Sequence, residues 1–126
     1  MSALSNVLLV DDDPSTRHLF ETVLGYHDVH VTSMETEQQA VDYLKSHEPD
    51  VIVLDIVLPG KDGYKVLKTI RALPETHCPI VATTAYYTSD SVPDFGQRGF
   101  DGYLLKPIQP EDLINYLERV ISDKRA

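Results

Sequence analysis

Short apolar runs alternate along this chain with longer segments whose apolar residues recur every three to four positions. The short runs, rich in Val, Ile and Leu, read as strands and the longer ones as helices, the order of an α/β domain built on a parallel sheet. Five strand-helix pairs are counted. Asn6 to Val10 is the first strand, and Asp13-Pro14 then offers an N-cap and a first-turn proline to a helix carrying Leu19, Phe20, Val23 and Leu24 on one face before Gly25. His30 to Ser33 is a weak second strand. Thr36-Glu37-Gln38-Gln39 has the spacing of a capping box, with Gln in place of Glu, and opens a helix through Ala40, Val41 and Leu44.

Val51 to Leu54 is apolar without interruption, as expected of a central strand covered on both faces. Pro59-Gly60 and Asp62-Gly63 punctuate the loop after it, and Val66, Leu67, Ile70 and Leu73 mark a third helix ending before Pro74. Pro79 to Thr83 is the fourth strand. The segment Thr88 to Gly99 is a weak fourth helix, short or mobile, because Pro93 and Gly96 oppose helix formation and only Val92 and Phe95 form its stripe. Tyr103 to Leu105 is the fifth strand. Pro110, Glu111 and Asp112 start a last helix with Leu113, Ile114, Leu117, Val120 and Ile121 in period, while Ser122 to Ala126 are expected to fray.

Four of the strands stop at residues suited to phosphate or metal chemistry. The first runs into Asp11-Asp12-Asp13, the third into Asp55, the fourth into Thr84 and the fifth into Lys106-Pro107. In a parallel sheet these stops meet at one edge, where open α/β sheets bind ligands beyond the carboxyl ends of their strands. Singly, an Asp after a strand is an ordinary helix cap, and Asp13 is read as one. Four such stops in one short chain point instead to a site.

Composition narrows the chemistry. A chain of 126 residues fits one domain, and 42% hydrophobic residues suffice for a core without covalent staples. The single cysteine, Cys78, rules out an internal disulfide, fits a reducing cytoplasm and is expected to pack as a small apolar residue. No run approaches the roughly 18 apolar residues of a membrane span, and the start lacks the form of a signal peptide. A cytoplasmic protein without membrane insertion is expected. Met1 and the basic tail suggest a complete chain with no output domain, and a longer parent protein stays open as the alternative. The net charge of −9 argues against direct nucleic-acid binding. The five histidines show no zinc-site spacing and are read as solvated.

Neighbouring aspartates repel unless a cation neutralises them, and Mg²⁺ suits the position because it takes one or two carboxylates together with water and phosphate oxygens. Asp12 and Asp55 supply those carboxylates, with Asp11 reaching through water. Asp55 stands alone after a rigid strand and is the better nucleophile for forming an aspartyl phosphate. Lys106 as a point charge and the Thr84 hydroxyl as a donor would complete the positioning and neutralisation that phosphoryl transfer needs.

The combination of Leu8-Leu9-Val10-Asp11-Asp12-Asp13, Asp50-Val51-Ile52-Val53-Leu54-Asp55 with Leu58-Pro59-Gly60 and Asp62-Gly63, Pro79-Ile80-Val81-Ala82-Thr83-Thr84-Ala85, and Gly102-Tyr103-Leu104-Leu105-Lys106-Pro107 resembles the receiver domain of bacterial two-component response regulators. The resemblance covers the whole chain, residues 1–126, as a stand-alone receiver. It implies a flavodoxin-like, doubly wound five-stranded parallel sheet of order 2-1-3-4-5 with five helices. It further implies that Asp55 accepts a phosphoryl group from the phosphohistidine of a histidine kinase or a histidine phosphotransfer protein. Asp12, Asp55 and the backbone carbonyl of Val57 would bind Mg²⁺ directly and Asp11 mainly through water. Lys106 would contact the phosphate, with a cis bond to Pro107, and Thr84 and Tyr103 would form the switch.

Some residues depart from the simplest version of that pattern. Val57 and Tyr86, each two residues beyond a key position, offer no good group for placing an attacking water, so slow loss of the phosphoryl group is expected. Other functions fit less well. An aspartate-based phosphatase of the haloacid dehalogenase type needs a carboxylate where Val57 stands, and a flavodoxin's phosphate loop would be repelled by Asp11-Asp12-Asp13. A receiver-like protein-binding module that is never phosphorylated stays open. The downstream target is not legible in the sequence.

Overall fold

The computed structural model describes residues 4–58, 61–74, 76–85, 95–96 and 98–125. Its elements run β1 (Asn6–Val10), α1 (Pro14–Tyr26), β2 (His30–Met34), α2 (Glu37–Leu44), β3 (Val51–Asp55), β4 (Val57–Leu58), β5 (Lys61–Asp62), α3 (Gly63–Arg71), β6 (Ile80–Thr84), β7 (Gly102–Leu105) and α4 (Pro110–Arg125). The long strands form one parallel sheet in the order β2-β1-β3-β6-β7, which is 2-1-3-4-5 when those five are counted alone. The first three helices begin as their sequences require. Asp13 accepts from the amide of Ser15 with Pro14 in the first turn, Thr36 and Gln39 form the reciprocal capping box, and Asp62 caps α3 through the amide of Tyr64.

Strand alternation divides the core between two faces. Leu8, Val10, Ile52, Leu54, Ile80 and Ala82 pack with α2 and α3, and Val7, Leu9, Val51, Val53 and Val81 pack with α1 and α4. β3 is buried at every position, as its unbroken apolar run predicts. β2 lies at the edge of the sheet and has no fully buried residue, which explains its weak pattern.

The structure corrects several boundaries. β6 spans Ile80–Thr84 rather than starting at Pro79, so Thr84 belongs to the strand. A two-residue hairpin, β4 with β5, follows Asp55 in a stretch read only as a loop. α4 continues through Arg125 instead of fraying from Ser122, because Ile121 is buried and Lys124 Nζ lies 3.1 Å from Asp101 Oδ1. Four helices are present among the described residues. The expected fourth of five, Thr88 to Gly99, falls largely outside them, as does Tyr86. Cys78 is buried and all five histidines are exposed, as read from the sequence.

Candidate phosphoacceptor and metal site

The polar stops converge because the ladders that align the strands continue one residue past them. The amide of Asp11 donates to the carbonyl of Met34 at 2.9 Å, and the amide of Lys106 donates to that of Thr84 at 2.9 Å. Asp11 therefore keeps the alternation of Leu9, and Lys106 that of Leu104, which puts both on the α1/α4 face with Asp55. Lys106 reaches across β6 so that Nζ stands 3.0 Å from Asp11 Oδ2 and 3.2 Å from Asp55 Oδ2. Its peptide bond to Pro107 is cis.

Asp11, Asp12 and Asp55 each offer a carboxylate oxygen, and these oxygens lie within 4.8 Å of one another. Asp11 and Asp55 are buried while Asp12 is exposed, so the cluster has two walls inside the protein and one opening to solvent. Each buried carboxylate is also tied to its own loop. Asp11 Oδ1 accepts from the amide of Asp13, and Asp55 Oδ1 accepts from the amide of Val57, both at 2.9 Å. The second oxygen of each is left facing the ammonium.

Burial pushes the Asp11 carboxyl above the usual carboxylate range and the Asp55 charge adds to the rise, against the pull of the Asp13 amide and of Lys106. Burial works to lower the Lys106 ammonium, but the hydrogen bond and charge of Asp11, followed by those of Asp55, outweigh it and hold Lys106 above its ordinary value. The ammonium is fully charged at neutral pH. It stands where crowded carboxylates call for a cation. The donor set of three carboxylates, all hard oxygens, fits a divalent ion of the Mg²⁺ type.

The other sequence candidates occupy distinct places around this cluster. Thr84 is fully buried at the end of β6. Val57 is 45% exposed beside Asp55, with its amide already committed to that carboxylate. Tyr103 lies on β7, 43% exposed, with its ring 5.2 Å from that of the buried Phe95, while its amide donates to Tyr116 Oη at 2.8 Å. The ring contacts continue from Phe95 to Phe100 and on to Tyr64 at the start of α3.

Sequence reasoning treated Gly63 only as punctuation, but the position is a constraint. A Cβ there would lie 2.2 Å from Cα of Ile56, and the Gly63 amide donates to the Ile56 carbonyl at 3.0 Å. This contact folds the β4–β5 hairpin back beside Asp55. Asp101 also passed unnoticed. It accepts from the Ile80 amide at 2.9 Å and pairs with Arg71 at 2.6 Å and Lys124 at 3.1 Å, joining β6, α3 and α4 at the opposite edge of the sheet. The Asp50 carboxylate likewise holds the amides of Ser5 and Asn6 at the start of β1. Asp101 and Asp50 have no local signal, because their partners lie 21 to 45 residues away, and the limit at Gly63 comes from the path of the loop that returns it to Ile56.

Comparison with known proteins agrees with this geometry. The two-component response regulator ORR13 of Oryza sativa subsp. japonica is 34% identical over 121 residues, spanning 89% of this chain and 97% of that protein. A crystal structure of a two-component response regulator from Clostridium difficile superposes with a TM-score of 0.83 at 25% identity, covering 97% of this chain and 99% of the other. The receiver domain of the sensor histidine kinase PA1611 from Pseudomonas aeruginosa PAO1, whose structure has a magnesium ion coordinated in the active-site cleft, gives 0.80 at 31% identity over 95% and 99%. The family described as the response regulator receiver domain matches residues 7–118, and with the same sheet order and acidic edge in place, this chain belongs to that family.

Proposed function

We propose that this receiver is a phosphoacceptor that takes a phosphoryl group on Asp55, with Mg²⁺ as cofactor, from the phosphohistidine of a histidine kinase or a histidine phosphotransfer protein. The observation that carries this reading is the clustering of Asp11, Asp12 and Asp55 within 4.8 Å, with the Lys106 ammonium against two of them. Asp12, Asp55 and the backbone carbonyl of Val57 would hold the ion directly, and Asp11 mainly through water. When bound, Mg²⁺ neutralises charge on the transferring phosphoryl oxygens and helps align them.

Asp55 supplies the nucleophile. A carboxylate oxygen bonds to phosphorus as the phosphorus-nitrogen bond to the donor imidazole breaks, and the imidazole nitrogen keeps the bonding pair. Lys106 remains charged and neutralises part of the negative charge that the acceptor gains. The Thr84 hydroxyl donates to the new phosphoryl oxygens. Thr84 moves toward them, and Tyr103, half-exposed beside Phe95, is the aromatic that changes position with it. The outcome is a changed surface for a protein partner. Both phosphorylation and its reversal are catalysed by the receiver itself, without turnover of a separate substrate.

No helix among the described residues is long and apolar enough to cross a membrane, and the lone buried cysteine suits the reducing cytoplasm where this signalling would take place. The test is incubation with acetyl phosphate and Mg²⁺, followed by intact-mass measurement. Wild type should gain one phosphoryl group and Asp55→Asn none. Absence of any gain by the wild type would leave a protein-binding module that is never phosphorylated.

A further inference from the structure

Thr83 precedes the switch threonine on β6, is fully buried, and its Oγ1 has no hydrogen-bond partner among the described residues. A buried hydroxyl left without a partner is unfavourable, and valine has nearly the same shape without that penalty. The position of Thr83 gives the hydroxyl a use. Its Cα is the register partner of Asp55, and alternation from Val81 puts its side chain on the α1/α4 face with Asp11, Asp55 and Lys106. Thr84, one residue on, belongs to the other face, so the two hydroxyls address different groups.

β6 lies between β7, from which Lys106 departs, and β3, where Asp55 stands. The lysine therefore crosses β6 on the face that carries Thr83. In the structure its ammonium uses the carboxylates of Asp11 and Asp55, at 3.0 and 3.2 Å. A divalent ion held by the three aspartates would compete with the ammonium for those oxygens, and the Thr83 hydroxyl is an acceptor on the face that the lysine crosses. We propose that Thr83 is a positioning residue for Lys106, its hydroxyl accepting a hydrogen bond from the ammonium when a divalent cation occupies the aspartates. Lys106 then stays over the site for an incoming phosphoryl group. The inference rests on the proposed Mg²⁺ site.

Calorimetric titration of the intact protein with MgCl₂ tests it, using wild type, Thr83→Val and Thr83→Ser, each with and without Lys106→Met. Thr83→Val should weaken Mg²⁺ binding about tenfold, the scale of one hydrogen bond to a charged group, and Thr83→Ser should restore it to within about twofold. In the Lys106→Met background Thr83→Val should change nothing, because the group it serves is gone. Equal affinity in wild type and Thr83→Val overturns this inference and leaves the Mg²⁺ site standing, whereas no binding by wild type overturns both. A Thr83→Val loss that persists without the Lys106 ammonium, or that serine fails to rescue, is a packing effect and also overturns it.

Discussion

The Lys106 ammonium lies 3.2 Å from Oδ2 of Asp55, a residue 51 positions earlier in the chain, and reaches it by crossing the intervening strand β6. The contact joins the proposed acceptor to the one cation seen beside the carboxylates among the described residues. Lys106→Met would leave two buried carboxylates without their counter-charge, and should destabilise the metal-free protein by about 3 kcal/mol, the low end for a buried pair because the lysine keeps some contact with solvent. Mg²⁺ should bind the variant more tightly than wild type, since its competitor is absent, and should restore most of the lost stability. Urea unfolding with and without MgCl₂ measures both effects. Unchanged stability together with unchanged Mg²⁺ affinity would show that the ammonium neutralises nothing here.

Val57 sits at the mouth of the site, exposed and without a side-chain hydrogen-bonding group. A water attacking an aspartyl phosphate would find no partner there, so we expect hydrolysis in minutes or longer rather than seconds. Val57→Asn should shorten the lifetime, because its amide can hold a water. Phosphate release in Mg²⁺ buffer after removal of the donor gives the rate. Loss within seconds in wild type contradicts this hypothesis.

Gly63 has no room for a side chain, since a Cβ would lie 2.2 Å from Cα of Ile56. Gly63→Ala must push the start of α3 away from the hairpin that follows Asp55. A loss of about 2–3 kcal/mol is expected from this overpacking, together with weaker Mg²⁺ binding as the Val57 carbonyl shifts. Gly25, by contrast, meets nothing within 4 Å, so Gly25→Ala is the matched control and should not lower stability. Thermal melts of the two variants compare them directly, and equal melting points would refute the crowding argument.

Asp101 links acid stability to the far edge of the sheet. Burial works to raise its carboxyl, but the Ile80 amide, then Arg71 and Lys124, outweigh it and hold the group below the ordinary value of 3.8. A carboxyl depressed in the folded state contributes stability that is fully present above the unfolded pKa and is lost as pH falls through the lower folded value. The carboxylate is partly open to solvent, so about 1 kcal/mol is expected at neutral pH after screening. Asp101→Asn should lose that amount at pH 7 and show a shallower decline below about pH 4. Urea midpoints across this range decide the matter, and parallel pH curves for the two proteins would count against it.

The five strands of the parallel sheet, the four described helices and the residues that end those strands were legible in the chain, because these signals are local. Continuous apolar runs, helical spacing and the caps at Asp13, Thr36 and Asp62 act within a few residues of one another. The convergence of Asp11, Asp12, Asp55 and Lys106 followed once parallel strands were assumed. Which face of the sheet their neighbours take was decided only by tertiary structure. Thr83 and Thr84 look alike in the chain, yet the register opposite Asp55 puts Thr83 on the face of β6 that Lys106 crosses and Thr84 on the other. The crowding at Gly63 comes from the backbone of Ile56. Arg71 and Lys124 meet at Asp101 from separate helices, and the second of these contacts keeps the chain's last turns helical where composition predicted fraying. Such effects depend on how the loops and elements come together in space, and local propensity and periodicity contain no record of them.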